Sequence, residues 1–224
     1  MSTIRTRALV LRRTNYGEAD RVVNLLTPDG QVSVMARGVR REKSKLAGGI
    51  ELFAISDVTI HAGKGGLGVL TSARLETFYG HIIEDYDRLQ FGYEAINAVT
   101  RASDSIDDGE WFTILEQVYD GLNRSNVPFQ LIQSWFYLHY ADLTGYELSL
   151  ERDVMGNKLE AGKRYMYDVG EKGLRPSEQG DITADHIKYL RLIVAKPLLT
   201  VAQIGGVEGI LPDCWLVARQ HAAI

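Results

Sequence analysis

The sequence predicts an α+β chain in two parts: a five-stranded OB-fold barrel over residues 1–79, then a mainly α-helical domain over residues 80–224. Three observations lead there. Five short runs with strand alternation fall within roughly the first eighty residues, and a closed barrel is the arrangement that leaves such short strands no exposed edge. At residue 80 the apolar period lengthens to that of a helix. The charge changes at the same place. Residues 1–79 hold twelve Lys/Arg against seven Asp/Glu, a net of +5, whereas residues 80–224 hold thirteen against twenty-two, a net of −9. An SH3-like barrel is the second choice of closed sheet.

The strands follow in order. In Ile4-Arg-Thr-Arg-Ala-Leu-Val-Leu11, Ile4, Thr6, Ala8 and Val10 share one face and Arg5, Arg7, Leu9 and Leu11 the other. Asn15-Tyr-Gly-Glu18 is a turn, and the apolar run Val22–Leu26 is the next strand. Pro28-Asp-Gly30 is a tight turn with Gly where a positive φ is needed, so Gln31–Ala36 returns as the second arm of a hairpin. Phe53–Ile60 and Val69–Leu75 complete the five.

The helical part opens with Ile82, Ile83, Tyr86, Leu89, Tyr93, Ile96 and Val99 at helical spacing. Trp111–Leu122 and Phe129–Leu143 continue it, the second capped by Gly145. Residues 146–180 read as a small β-containing insertion around the strand-like Tyr165–Val169. Asp181–Lys196 is a helix halted by Pro197, and a last helix starts with Pro212 in its first turn.

Bulk properties narrow the function. At 224 residues, 45% hydrophobic and 24% charged, the chain has the composition of a globular protein with a full core. No apolar run reaches the roughly 18 residues that span a bilayer, and the N-terminus lacks a signal-peptide core, so a cytoplasmic location and no membrane partner are expected. The single cysteine, Cys214, leaves no intrachain disulfide and no cysteine-rich zinc site.

The densest chemistry is Arg37-Gly-Val-Arg40-Arg41-Glu-Lys43-Ser-Lys45, with five cations and one carboxylate in nine residues of a chain whose net charge is −4. Arg37, Arg40, Arg41, Lys43 and Lys45 are the expected phosphate contacts, on a mobile loop able to follow a nucleic-acid backbone. Among the few aromatics of the barrel, Tyr16 is the candidate base-stacking platform. Gly63-Lys-Gly65-Gly-Leu-Gly68 has the spacing of a dinucleotide fingerprint, but a strand follows where that motif needs a helix. It reads as a hairpin loop from which Lys64 can add one phosphate contact.

Asp104, Asp107, Asp108 and Glu110 lie before the helix opening at Trp111 and read as caps rather than metal ligands. The five histidines show no metal-binding spacing, and no nucleophile elbow or P-loop appears. Nothing argues for catalysis, a metal or a cofactor. Trp135, Phe136, Tyr137 and Tyr140 cover more than one helical face, so some of that surface is expected to meet another protein.

Taken in order, Ala8–Leu11, Tyr16-Gly-Glu-Ala-Asp20-Arg21, Leu25-Leu-Thr-Pro-Asp-Gly30, the basic loop and Phe53 resemble the RecO family of bacterial recombination mediators. The resemblance implies an OB fold that binds single- and double-stranded DNA, joined to a helical domain. It also implies strand annealing, work with a RecR-like protein to load RecA, and binding of the C-terminal tail of single-strand-binding protein. Such a tail is acidic and apolar, so its site needs a cation beside an apolar pocket. Arg124, Lys188 and Arg191 are the candidates. Many family members carry a four-cysteine zinc knuckle. The corresponding Arg152–Asn157 and Gly173–Glu178 hold no cysteine, so apolar contacts of the Tyr165–Val169 strand are expected to replace the metal. Two alternatives stay open: an RNA-binding OB-fold accessory factor, and a protein–protein adaptor that binds no nucleic acid.

Overall fold

The computed structural model describes residues 3–106 and 108–222, with Lys64 described by its backbone alone. Strands β1 (Thr3–Tyr16), β2 (Asp20–Thr27), β3 (Gly30–Ala36), β4 (Ala54–His61) and β5 (Gly68–Phe78) close into a barrel in the order β1-β2-β3-β5-β4. β3 and β5 pair in parallel through Val34–Gly68 and Met35–Val69, and every other pairing is antiparallel. This is the ring of an OB-like barrel, followed by helices. The Pro28 turn forms as its residues dictate: Gly30 has a φ of 102°, and the Thr27 hydroxyl donates to Gly30 O at 2.9 Å.

Ala8, Val10, Val23, Leu25, Val34, Val58, Ile60 and Leu70 fill the barrel. The outer face of β1 is equally dry, with Leu9 and Leu11 buried. Helices α1 (Tyr86–Ser103) and α2 (Glu110–Leu122) supply the reason, because both pack on the barrel. Phe53 lies edge-on to Tyr93 of α1 at 5.2 Å and to Tyr119 of α2 at 5.5 Å. Gly92 is where α1 passes closest, since a Cβ there would sit 2.7 Å from the Phe53 ring. Arg7 reaches from β1 to Glu76 and, at 2.7 Å, to Glu116 of α2, with its guanidinium over the Phe112 ring. Those two carboxylates hold the Arg7 proton above its ordinary affinity. Barrel, α1 and α2 make one compact unit, Met1–Asn123.

One sequence expectation changes here and one holds. Ile82 and Ile83 belong to a 3₁₀ turn (Gly80–Glu84) rather than to α1, whose N-cap is Asp85 accepting from Arg88 N at 3.0 Å. Asp108 caps α2 by accepting from Glu110 N at 2.9 Å, while Asp107 lies outside the described residues.

The second unit, Arg124–Ile224, contains α3 (Phe129–Leu143), the hairpin β6 (Tyr165–Asp168) and β7 (Gly173–Pro176), α4 (Ala184–Ala195), α5 (Leu198–Val201) and α6 (Leu211–Ala222). α3 is its centre, packed on α6, α4 and α5. Trp135, Phe136 and Tyr137 are therefore core, which corrects the expectation of a partner-facing aromatic surface: a helix apolar all round is wrapped by its neighbours. The insertion is tied by polar contacts. The Asp153 carboxylate accepts from Met155 N and Asn157 N, both at 2.9 Å, and Val154 N donates to Leu174 O. The Tyr165 hydroxyl accepts from Glu160 N at 2.8 Å. Among the described residues no group of three or more His, Cys, Asp or Glu is placed to hold a metal, and no helix is long and apolar enough to cross a membrane.

Candidate nucleic-acid interface

The basic loop leaves β3 at Ala36 and is seated rather than free. Val39 is buried in the barrel core, and Gly38 turns the chain with a φ of 63°. Gly38 N donates to the Asp20 carboxylate at 2.6 Å and Arg40 N to Ala19 O at 2.9 Å, so the loop is bonded to the β1–β2 turn. Two further turns follow, Arg41 N to Gly38 O and Ser44 N to Arg41 O. The chain then re-enters the core at Gly49 and Ile50. Gly49 lies so close to β5 that a Cβ would meet the Ala73 carbonyl at 2.4 Å. The mobile loop expected from Gly38 and Ser44 is thus a series of pinned turns.

All five cations of the loop are exposed. Among the described residues none of them meets a carboxylate within ion-pair distance, although Arg40 Nη1 donates to Gly17 O at 3.2 Å. Tyr16, 59% exposed, ends β1 opposite Asp20, beside the turn that holds Arg40. The structure therefore brings Tyr16, Arg37 and Arg40 to one end of the barrel. The loop between β4 and β5, which holds Lys64, joins β5 at Gly68, and Gly68 pairs with Val34, two residues before β3 ends at Ala36 and the basic loop leaves. The Lys64 backbone forms a hairpin connection, as the following strand requires.

Sequence reasoning missed Arg12, Asn24 and Ser33. A bulge between Val10 and Arg12 shifts the register, so Arg13 takes the inner side opposite Val23 and binds Glu51 at 2.8 Å. Arg12 consequently points outward beside Asn24, whose side chain accepts from the Ser33 hydroxyl at 3.2 Å. The exposed cation and two amide and hydroxyl groups stand on the strand face that OB barrels use for oligonucleotides. Regular alternation would have put Arg12 inside, and the sequence carries no sign of the bulge.

The helical side of this unit has the opposite sign. Residues 80–123 hold two Lys/Arg against ten Asp/Glu. The sign of the loop attracts a polyanion and that of the helices repels it.

In the second unit the three partner candidates part company. Lys188 is exposed and paired with Asp185 at 3.0 Å, and Arg124 lies on the surface ahead of α3. Arg191 donates to Leu150 O and lines a groove of about 470 Å³ with Leu148, Leu150 and Val194, in which Arg152 and Arg191 are balanced by Glu147 and Glu151. Cys214 is buried and its thiol is pushed up to about 12 by desolvation, which leaves no thiolate for chemistry near neutral pH.

The family model for the N-terminal part of recombination protein O matches residues 1–79. A DNA repair protein RecO from Rubrobacter xylanophilus is 30% identical over 99% of this chain and 91% of its own length. That of Dehalococcoides mccartyi is 31% identical over 97% and 88%, and that of a Roseiflexus species is 35% identical over 65% and 51%.

Proposed function

The chain belongs to the RecO family of DNA repair proteins, and from that premise we propose that its barrel binds single- and double-stranded DNA through the seated basic loop. The observation that carries this reading is the set of five exposed, carboxylate-free cations held against the β1–β2 turn beside Tyr16 and Arg12. Such a surface neutralises phosphates without reading bases, as strand annealing and delivery of a RecA-type recombinase onto coated single strands demand. The protein acts in the bacterial cytoplasm as a non-enzymatic mediator with a RecR-like partner. Domain-wise, residues 1–79 carry the DNA-binding function and residues 80–224 the partner contacts.

A salt titration tests the DNA site. With about four phosphate contacts to a single strand, log K falls against log salt with a slope of roughly −3. Replacing Arg40, Arg41 and Lys43 by Ala flattens the slope and weakens all sequences alike. An unchanged slope removes the loop from the site. Tighter binding of structured RNA than of single-stranded DNA would favour the RNA-factor reading, and salt-insensitive or absent binding the adaptor.

For the tail of single-strand-binding protein, the Arg191 groove is the favoured seat of the three candidates, because only there does a candidate cation line a groove with apolar walls, Glu147 and Glu151 setting the limit on how acidic a tail it takes. Calorimetry of the full chain with a tail peptide should show micromolar binding that Arg191→Glu weakens by about tenfold. Equal binding by the variant excludes this groove.

A further inference from the structure

A second groove, of about 140 Å³, runs between β6 and α6. Its floor is Ile182, Leu216 and Val217, and Met166 stands on its rim. Met166 and Leu216 are 48% and 45% exposed, unusual for large apolar side chains that share one concavity. Asp213, Leu216, Val217 and Gln220 have the i, i+3, i+4, i+7 spacing that presents one helix face to the groove. Its charged lining residues are both carboxylates, Asp181 and Asp213. His186 Nε2 lies 3.3 Å from Asp213 while its Nδ1 serves the Thr183 helix cap. Arg219 sits on the neighbouring helix face, over Trp215.

An open strand edge borders the same space. Tyr165 exchanges both main-chain hydrogen bonds with Ile182, at 2.8 and 2.9 Å, on the side of β6 away from β7. Tyr167, two residues on, presents its N–H and C=O on that same side. The chain has turned into α4 by then, and among the described residues no main-chain group meets them.

We propose that this groove docks an extended segment of a partner protein that carries an apolar side chain flanked by lysine or arginine. The segment adds to β6 at Tyr167, its apolar side chain fills the space above Ile182, Leu216 and Val217, and its cations meet Asp181 and Asp213. Charge complementarity selects this occupant: an acidic segment would face two carboxylates, and the 140 Å³ accommodates one large side chain rather than a helix. The charged lining here is acidic alone, whereas the Arg191 groove balances Arg152 and Arg191 with Glu147 and Glu151.

The test uses the full chain and three labelled peptides in fluorescence anisotropy: Lys-Arg-Leu-Thr-Val-Lys-Arg, the same peptide with Ser for Leu and Val, and a charge-reversed version with Glu for every Lys and Arg. The first peptide binds, and the other two bind at least about tenfold more weakly. Asp181→Lys and Leu216→Glu, both at exposed positions, each lower affinity for the first peptide by a similar factor, while Asp104→Lys, just after α1, leaves it unchanged. Retained circular dichroism and DNA affinity verify that the variants fold. Equal binding of the serine peptide reduces the effect to net charge and overturns the proposal, as does absence of binding at millimolar peptide. Self-association of the chain that Leu216→Glu abolishes would assign the groove to a second copy, again overturning it.

Discussion

His221 shows how a single neutral ring can fasten a hairpin to a helix. Its Nε2–H donates to Tyr146 O at 2.6 Å and its Nδ1 accepts from the Tyr167 hydroxyl at 2.9 Å, an arrangement that uses both nitrogens of the uncharged ring. Burial lowers its proton affinity below the ordinary value of 6.5, and burial does the same to His139, stacked on Trp135. Above pH 6.5 both rings are neutral whether the chain is folded or not, and their full contribution is present. As pH falls below 6.5 the unfolded chain binds protons that the folded one refuses, so stability declines toward the lower folded values. Urea midpoints measured at pH 7.5 and 5.5 should therefore drop at the lower pH, and His221→Gln should shrink that drop. The depressed carboxylates Asp153 and Asp168 titrate below 3.8 and stay silent in this window. A midpoint flat across the window would show that neither ring is held neutral by the fold.

At the scale of elements, the barrel and its two helices depend on each other. Leu9, Leu26, Ile55 and Phe53 are nearly inaccessible although several face outward from the sheet. A fragment of residues 1–79 would uncover that outer face, whereas residues 1–123 keep α1 and α2 in place. The shorter fragment is expected to aggregate or unfold at lower urea, by several kcal/mol at about 1.5–3 kcal/mol per large apolar side chain uncovered. The longer one should unfold cooperatively. Equal urea midpoints would show that the barrel needs no helices.

What the sequence disclosed follows the same division. The Pro28–Gly30 turn, the Gly145 cap and the Pro197 stop depend on their own residues, and were legible. The bulge after Val10 depends on which residue β2 offers opposite, so the outward turn of Arg12 was hidden. Arg37 and Lys64 read alike as loop cations, and only the parallel pairing of Val34 with Gly68 shows that their two loops border the same strand. The open edge at Tyr167 was equally invisible, because it exists only where Ile182 departs into a helix.

At the scale of the whole chain, the net charge of −4 describes no surface a ligand meets. The first unit joins a positive loop to helices with a large acidic excess, and the second offers one groove of balanced charge and one whose charged lining is acidic alone. Partners of different sign can thus be addressed by one molecule, each at a place the average charge conceals. For the first unit this separation of charge also governs time. On the DNA-binding reading proposed above, a strand drifting toward it experiences a torque before any contact, since the loop draws phosphates and the acidic helices push them away. Fewer random rotations are spent before the loop faces the strand, and each encounter begins near its productive orientation. Added salt shortens the reach of that torque to about 8 Å at physiological strength, so arrival slows even where the bound complex is unchanged. On that reading the acidic helices need no contact with the nucleic acid to act on it as a rudder.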